Sequence, residues 1–172
     1  PSFRALPAAA GTAPDHEIVI RSFTDLRQRD PDYAGKIHEL EWLSGFDEPS
    51  PDALTKEPVS HYDRRVLSHP DVLPDAWFIA LDGDRYVGLT RSNRNGDYPR
   101  LLNLGFTGVL PEYRRRGIAT ALKLRVISFA ASQNVRTIVT NNEENNPIFN
   151  LNRALGFEPG PAGLAFRKTP AG

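Results

Sequence analysis

The chain has 172 residues, enough for one domain, and its 40% hydrophobic and 24% charged content matches globular averages, which excludes a disordered or fibrous chain. Lys plus Arg equals Asp plus Glu at 21 each, so no basic excess points to nucleic acid, and no apolar run reaches the roughly 18 residues of a membrane span. Cysteine is absent, which removes disulfides, thiolate metal sites and cysteine nucleophiles and fits a reducing cytoplasm.

Residues 1–15, rich in Pro and Ala without periodicity, read as a flexible N-terminal tail with a short strand at Phe3 to Leu6, and 16–172 as a single domain. The start lacks a basic stretch followed by an apolar core, so no secretory signal is expected. Ile18-Val19-Ile20 predicts a first strand. Asp30 as N-cap and Pro31 at the first helical position open a helix carrying Tyr33, Ile37, Leu40 and Leu43 on one face. A proline-studded loop follows, then a second helix over 61–69. Residues 77–81 and 85–89, joined through Asp82-Gly83-Asp84, read as a β-hairpin. The stretch 91–99 reads as loop and Leu101 to Val109 as a third strand. A helix from 117 to 133 buries Ile118, Ala121, Leu122, Val126, Phe129 and Ala130. Thr137 to Thr140 reads as a buried strand and Pro147 to Leu155 as a helix stopped by Gly156. Leu164 to Arg167 is a last strand.

Phosphate-loop, dinucleotide, zinc-protease and nucleophile-elbow motifs are all missing, and His16, His38, His61 and His69 show no ligand spacing, so no metal site is expected. The informative segment is 107–120, TGVLPEYRRRGIAT. A strand runs through a turn and three arginines into a helix, so unpaired N–H groups and the positive end of the helix dipole make an anion site. Gly117 and Ala119 are small, letting backbone approach a diphosphate, and Arg114, Arg115 and Arg116 add charge.

The pattern V-x-P-x-x-R-x-x-G-x-A after a strand resembles the main CoA-binding motif, [QR]-x-x-G-x-[GA], of the GNAT superfamily of acyl-CoA-dependent N-acyltransferases. Arg114, Gly117 and Ala119 hold its defined positions. Residues 145–157, NNPIFNLNRALGF, resemble the later family segment, with Asn145 as its asparagine and Leu155-Gly156-Phe157 as its close. The resemblance spans about 17–168, most closely 101–157. It implies an α/β (α+β) GNAT-like fold, a bent, mostly antiparallel sheet with helices on both faces. It also implies acetyl-CoA as cosubstrate, with pantetheine in a gap between the third-hairpin-side strand 101–109 and strand 137–140. Thr107, Gly108 and Val109 would line pantetheine. Arg114, Arg115, Arg116, Gly117, Ile118, Ala119 and Thr120 would surround the diphosphate, and Asn145 and Asn152 would also bind the cofactor. The implied reaction is direct attack of a primary amine on the thioester, with the Val109 N–H on the oxyanion and Asn152 on the sulfur. A non-catalytic acyl-CoA-binding module is the alternative. A cytoplasmic protein, monomeric or homodimeric, is implied.

Two familiar family residues are replaced. Asn152 stands where many relatives carry a tyrosine acid, and Thr140 where some carry a glutamate base. Candidate carboxylates to take the amine proton through water are Glu41, Asp97, Glu143 and Glu144, with Tyr33 and Tyr98 as hydroxyls. By analogy, residues 30–70 form one wall of the acceptor pocket, where Trp42, Phe46 and Tyr62 are either lining or core.

Overall fold

The computed structural model describes residues 17–45, 55–142 and 146–160. The tail 1–15, Phe46, Glu143, Glu144, Asn145 and the strand expected at 164–167 lie outside the described residues. Five strands, β1 (Val19–Ser22), β2 (Phe78–Asp82), β3 (Arg85–Arg94), β4 (Leu101–Val109) and β5 (Thr137–Thr140), form one sheet whose spatial order equals chain order. β1 to β4 pair antiparallel; β5 joins β4 in parallel. Five helices accompany them: α1 (Phe23–Arg29), α2 (Tyr33–Gly45), α3 (Val59–Tyr62, running on as wider π-helical turns over Asp63–Leu67), α4 (Ile118–Ser132) and α5 (Pro147–Ala154).

Several elements differ from the sequence expectation. α1 was not foreseen: Ser22 caps it by accepting the Asp25 N–H at 3.1 Å, and Phe23 buries completely against Trp77, ring centroids 5.2 Å apart. Helix α2 begins at Tyr33 rather than at Pro31, although Asp30 still accepts from the Asp32 N–H at 2.9 Å. Leu43, expected on its apolar face, is exposed. The supposed loop at 91–94 is strand, because Ser92 is fully buried and its carbonyl accepts the Trp77 indole N–H at 2.9 Å. Strand β5 is not buried; it alternates between exposed and half-buried positions, and among the described strands it stands at the end of the sheet order. The helix expected at 61–69 lies at 59–67.

The sheet is sandwiched. Helix α4 packs on β2, β3 and β4, and α2 on β3 and β4. Side-chain alternation separates the two: a Cβ placed on Gly88 would meet Ile118 and Leu122 of α4, whereas one on Gly108 would meet Ser44 of α2. Gly88 pairs with Val109 and Leu89 with Gly108, so adjacent positions look to opposite faces. The core between sheet and helices gathers Phe23, Ile37, Leu40, Trp77, Ile79, Val87, Leu89 and Leu122. In α4, Ile118, Leu122, Val126 and Ala130 are buried as expected, Ala121 and Phe129 only partly. Lys123 is buried too, 1% exposed, and its ammonium has no hydrogen-bond partner among the described residues.

Residues from Asn142 onward form a separate compact unit. There Asn146 caps α5 by accepting the Ile148 N–H at 2.9 Å, Pro147 takes the first helical position, and Gly156, at φ +88°, stops the helix.

Candidate active site

The site begins with a defect in the sheet. Between Thr90↔Thr107 and Ser92↔Leu104 the single residue Arg91 faces two residues of β4, Gly105 and Phe106, which makes a bulge. Pairing of β4 with β5 covers only Leu101 to Leu104 and ends at that bulge. Among the described residues no strand therefore pairs with the β5-side edge of β4 from Gly105 to Val109, which is an open edge in that sense.

Backbone geometry decides which groups that edge presents. The Leu110 N–H donates to the Val87 carbonyl at 2.9 Å, toward β3. Successive residues of a strand point their N–H and C=O groups to opposite sides. The backbone groups of Thr107 and Val109 consequently point at the open edge, and those of Gly108 at β3. The Thr107 side chain meets Thr90 across the ladder, hydroxyl to hydroxyl at 2.9 Å. Gly108 is a packing position: a Cβ there would fall 2.4 Å from Ser44 Oγ and 2.5 Å from the Phe106 ring.

After β4 the chain makes a 3-10 turn at Pro111–Tyr113, held by the Tyr113 O–H donating to Asp82 at 2.7 Å. Arg115 then takes φ +62° and Gly117 φ +79°. The left-handed conformation is strained for Arg115 and easy for Gly117. Gly117 is the N-cap of α4 and offers no side-chain cap, and its carbonyl accepts the Ala121 N–H at 2.9 Å. The next N–H groups, of Ile118, Ala119 and Thr120, lie in the first turn, where a helix supplies no internal acceptor. A small cap, a left-handed turn and uncapped donors together make an anion cradle at a helix N-terminus.

The three arginines have distinct placements. Arg114 turns back: its Nε donates to the Val109 carbonyl at 3.0 Å, with a longer contact of 3.5 Å from Nη2 to the Ser44 carbonyl. It thereby ties the end of β4 to the last turn of α2. Arg116 lies over the Tyr113 ring, 5.0 Å from its centroid, and Arg115 and Arg116 are exposed beside the cradle. Ile118 is buried, Ala119 and Thr120 half-buried. In the second unit Asn152 is buried; its Nδ2 donates to Asn142 Oδ1 at 2.6 Å, and its own Oδ1 is buried without a donor.

The other candidates separate. Asp97 and Tyr98 are exposed on a turn whose backbone N–H groups both donate to Asn95 Oδ1 at 3.1 Å. The Tyr33 ring packs on Phe23 at 5.6 Å and so serves the core. Trp42 is half-buried, and Thr140 sits in the ladder opposite Leu104. Glu41 is different: it accepts the Tyr62 O–H and pairs with Arg91 at 3.0 Å. Arg91 escaped the sequence reading because 91–94 looked like loop; the one available signal was Gly105 inside a strand, a frequent mark of a bulge. A cleft of about 220 Å³ lined by Lys36, Leu40, Tyr86 and Leu110 contains no residue of 114–120.

No helix among the described residues is long and apolar enough to cross a membrane. N-alpha-acetyltransferase 30 of Schizosaccharomyces pombe is 29% identical to this chain over 104 residues, 59% of this chain and 68% of that protein. Among solved structures, the aminoglycoside acetyltransferase AAC(6')-Iy bound to a CoA bisubstrate analogue superposes with a TM-score of 0.62 at 21% identity, over 90% of this chain and 99% of its own. The ribosomal-protein-S18-alanine N-acetyltransferase of Escherichia coli gives a TM-score of 0.62 at 14% identity, covering 84% of this chain and 80% of its own. These structures share the fold. The sequence model of the Acetyltransferase (GNAT) family matches residues 35–157, which include the bulge, the open edge and the cradle. The chain therefore belongs to the acetyltransferase (GNAT) family and is an acetyl-CoA-dependent N-acetyltransferase.

Proposed function

We propose that acetyl-CoA lies along the open edge of β4 with its diphosphate on residues 115–120, and that a primary amine of a small molecule or peptide attacks the thioester directly. The observation that carries this reading is the run of outward groups, Val109 N–H followed by the uncapped first turn of α4 behind Gly117. Pantetheine carries amides, and an open strand edge supplies them with hydrogen-bonding partners. The Val109 N–H, fixed by the ladder, is the donor for the developing oxyanion, so positioning and electrostatic stabilisation supply the rate. With no cysteine in the chain, an acyl-cysteine intermediate has no place in the reaction. Relatives named for protein α-amines and for aminoglycosides both act on amines. In this reading the protein works in the cytoplasm, where acetyl-CoA is at hand, and monomer and homodimer are both compatible.

The test separates strain from charge. Gly117→Ala and Gly117→Glu both place a side chain at φ +79°, where the cost is about 1 kcal/mol. A Cβ there meets no atom within 4 Å, so the alanine variant isolates the backbone strain common to both. Calorimetry is expected to show CoA binding to Gly117→Glu at least tenfold weaker than to Gly117→Ala. Equal affinities would remove the diphosphate from this loop.

A further inference from the structure

Glu41 gathers partners from segments far apart in the chain. On the α2 face of the sheet, its Oε1 pairs with Arg91 Nη2 at 3.0 Å and its Oε2 accepts the Tyr62 O–H. Tyr62 is 3% exposed, with the His38 ring packed on it at 4.8 Å, and burial pushes its phenol well above the ordinary range. Tyr62 thus stays an O–H donor at any working pH. The Arg91 guanidinium lies 5.9 Å from the Trp77 ring centroid and 6.0 Å from that of Phe106, which holds it in place.

An internal tie between α2 and β3 is the simplest use of such a pair. Two features go beyond a tie. First, an ion pair partly open to water adds little to stability, yet this one stands at the bulge where β4 leaves β5. Second, the carboxylate is neither saturated nor sealed. Each oxygen uses one of its two lone-pair positions, and the Glu41 side chain keeps 16% of its surface, the Arg91 side chain 25%. The position also fits. Ser44 and Gly45, the end of α2, lie against Gly108 and Phe106, and Glu41 is about one helical turn, roughly 5 Å, before them.

We infer that Glu41 is the acceptor-binding carboxylate: it receives the ammonium of a positively charged primary amine on the α2 side of the open edge, with Tyr62 fixing its orientation and Arg91 competing for its other oxygen. This rests on the assignment of acetyl-CoA to that edge. It predicts that acceptors are alkylammonium compounds and that neutral anilines are poor ones.

Steady-state kinetics of the whole protein test it, with acetyl-CoA saturating and spermidine, an aminoglycoside and a short peptide with a free N-terminus as acceptors. In Glu41→Gln, which keeps the size and a hydrogen-bonding oxygen, the acceptor KM is expected to rise at least tenfold. KM for acetyl-CoA and the calorimetric Kd of CoA should stay within twofold. Glu41→Asp should fall between. Arg91→Met, which frees Oε1 and leaves the carboxylate, should hold the acceptor KM level or lower it, and it serves if Glu41→Gln folds poorly. An unchanged acceptor KM in Glu41→Gln, or a rise in Arg91→Met, reduces Glu41 to a tie and overturns the inference. Failure of the wild type to bind CoA on the Gly117 loop would instead defeat the acetyl-CoA assignment, a separate readout.

Discussion

Replacing Gly108 by alanine tests whether α2 is seated on β4 as closely as the geometry says. The new Cβ would stand 2.4 Å from Ser44 Oγ and 2.5 Å from the Phe106 ring, about 1 Å inside normal contact. Ser44 cannot swing away freely, because its buried hydroxyl donates to the Leu40 carbonyl at 2.6 Å. Moving it forfeits a hydrogen bond, and leaving it forces β4 and α2 apart. Overpacking of this kind costs about 1–3 kcal/mol, and the stiffer unfolded chain returns about 0.4–1 kcal/mol. The net is a loss of about 1 kcal/mol, or a fall of roughly 2–4 °C in Tm for a chain of this size. Urea titration at 25 °C and a thermal melt measure it. Ser44→Ala in the same background should recover part of the loss, since the two sites share one contact and cannot add independently. A loss under about 0.5 kcal/mol in Gly108→Ala, or strict additivity in the double variant, would refute the close seat.

Two further outcomes concern ionisable groups. Burial alone pulls the Lys123 ammonium down to about 8, so the folded chain prefers it neutral while the unfolded chain holds its proton up to the ordinary lysine range near 10.5. Stability is penalised in full below pH 8 by about 3 kcal/mol, and the penalty fades as pH rises from 8 to 10.5. Lys123→Met should therefore stabilise at pH 7 and lose its advantage by pH 10.5 in denaturant titrations. Asp30 is held below the ordinary carboxylate range, chiefly by the hydrogen bond from Lys36 at 2.8 Å and then by the Tyr86 O–H at 2.8 Å. Its contribution is full above the unfolded-state value and disappears as pH drops through the folded one. Asp30→Ala should cost about 2 kcal/mol near neutrality, and the gap to wild type should close in acid.

The sequence carried the strand–loop–helix at 107–120 because that segment is local: turn, arginines, Gly117 and helix follow within 14 residues. Hairpin β2–β3 and the ends of α5 were legible for the same reason, through Asp82-Gly83 and Pro147 with Gly156. What escaped reading depends on distant partners. RSNR at 91–94 is polar and looks like loop, yet Trp77 and the β4 ladder make it strand. Helix α1 carries only two buried apolar side chains, Phe23 and Leu26, too few for a visible period. Glu41 stood among four candidate carboxylates, and nothing local set it apart, since Tyr62 lies 21 residues on and Arg91 across the sheet. Lys123 reads as a solvated lysine by type, and only the fold reveals its burial.

A sheet whose spatial order equals its chain order carries a kinetic consequence. After β2, each strand up to β4 folds back on the one just completed, across connections of two residues at Gly83-Asp84 and six at 95–100. Closing short connections costs little chain entropy, so this meander can form early and without waiting for distant partners. Among the described strands the one parallel pairing, β4 with β5, needs α4 laid down between them and joins only four residue pairs. The last of the described strands to arrive is thus fastened by as few residue pairs as β1, and it is the one that borders the open edge. A protein so wired finishes its scaffold before it finishes its cleft, and can open the cleft again without unpicking the scaffold.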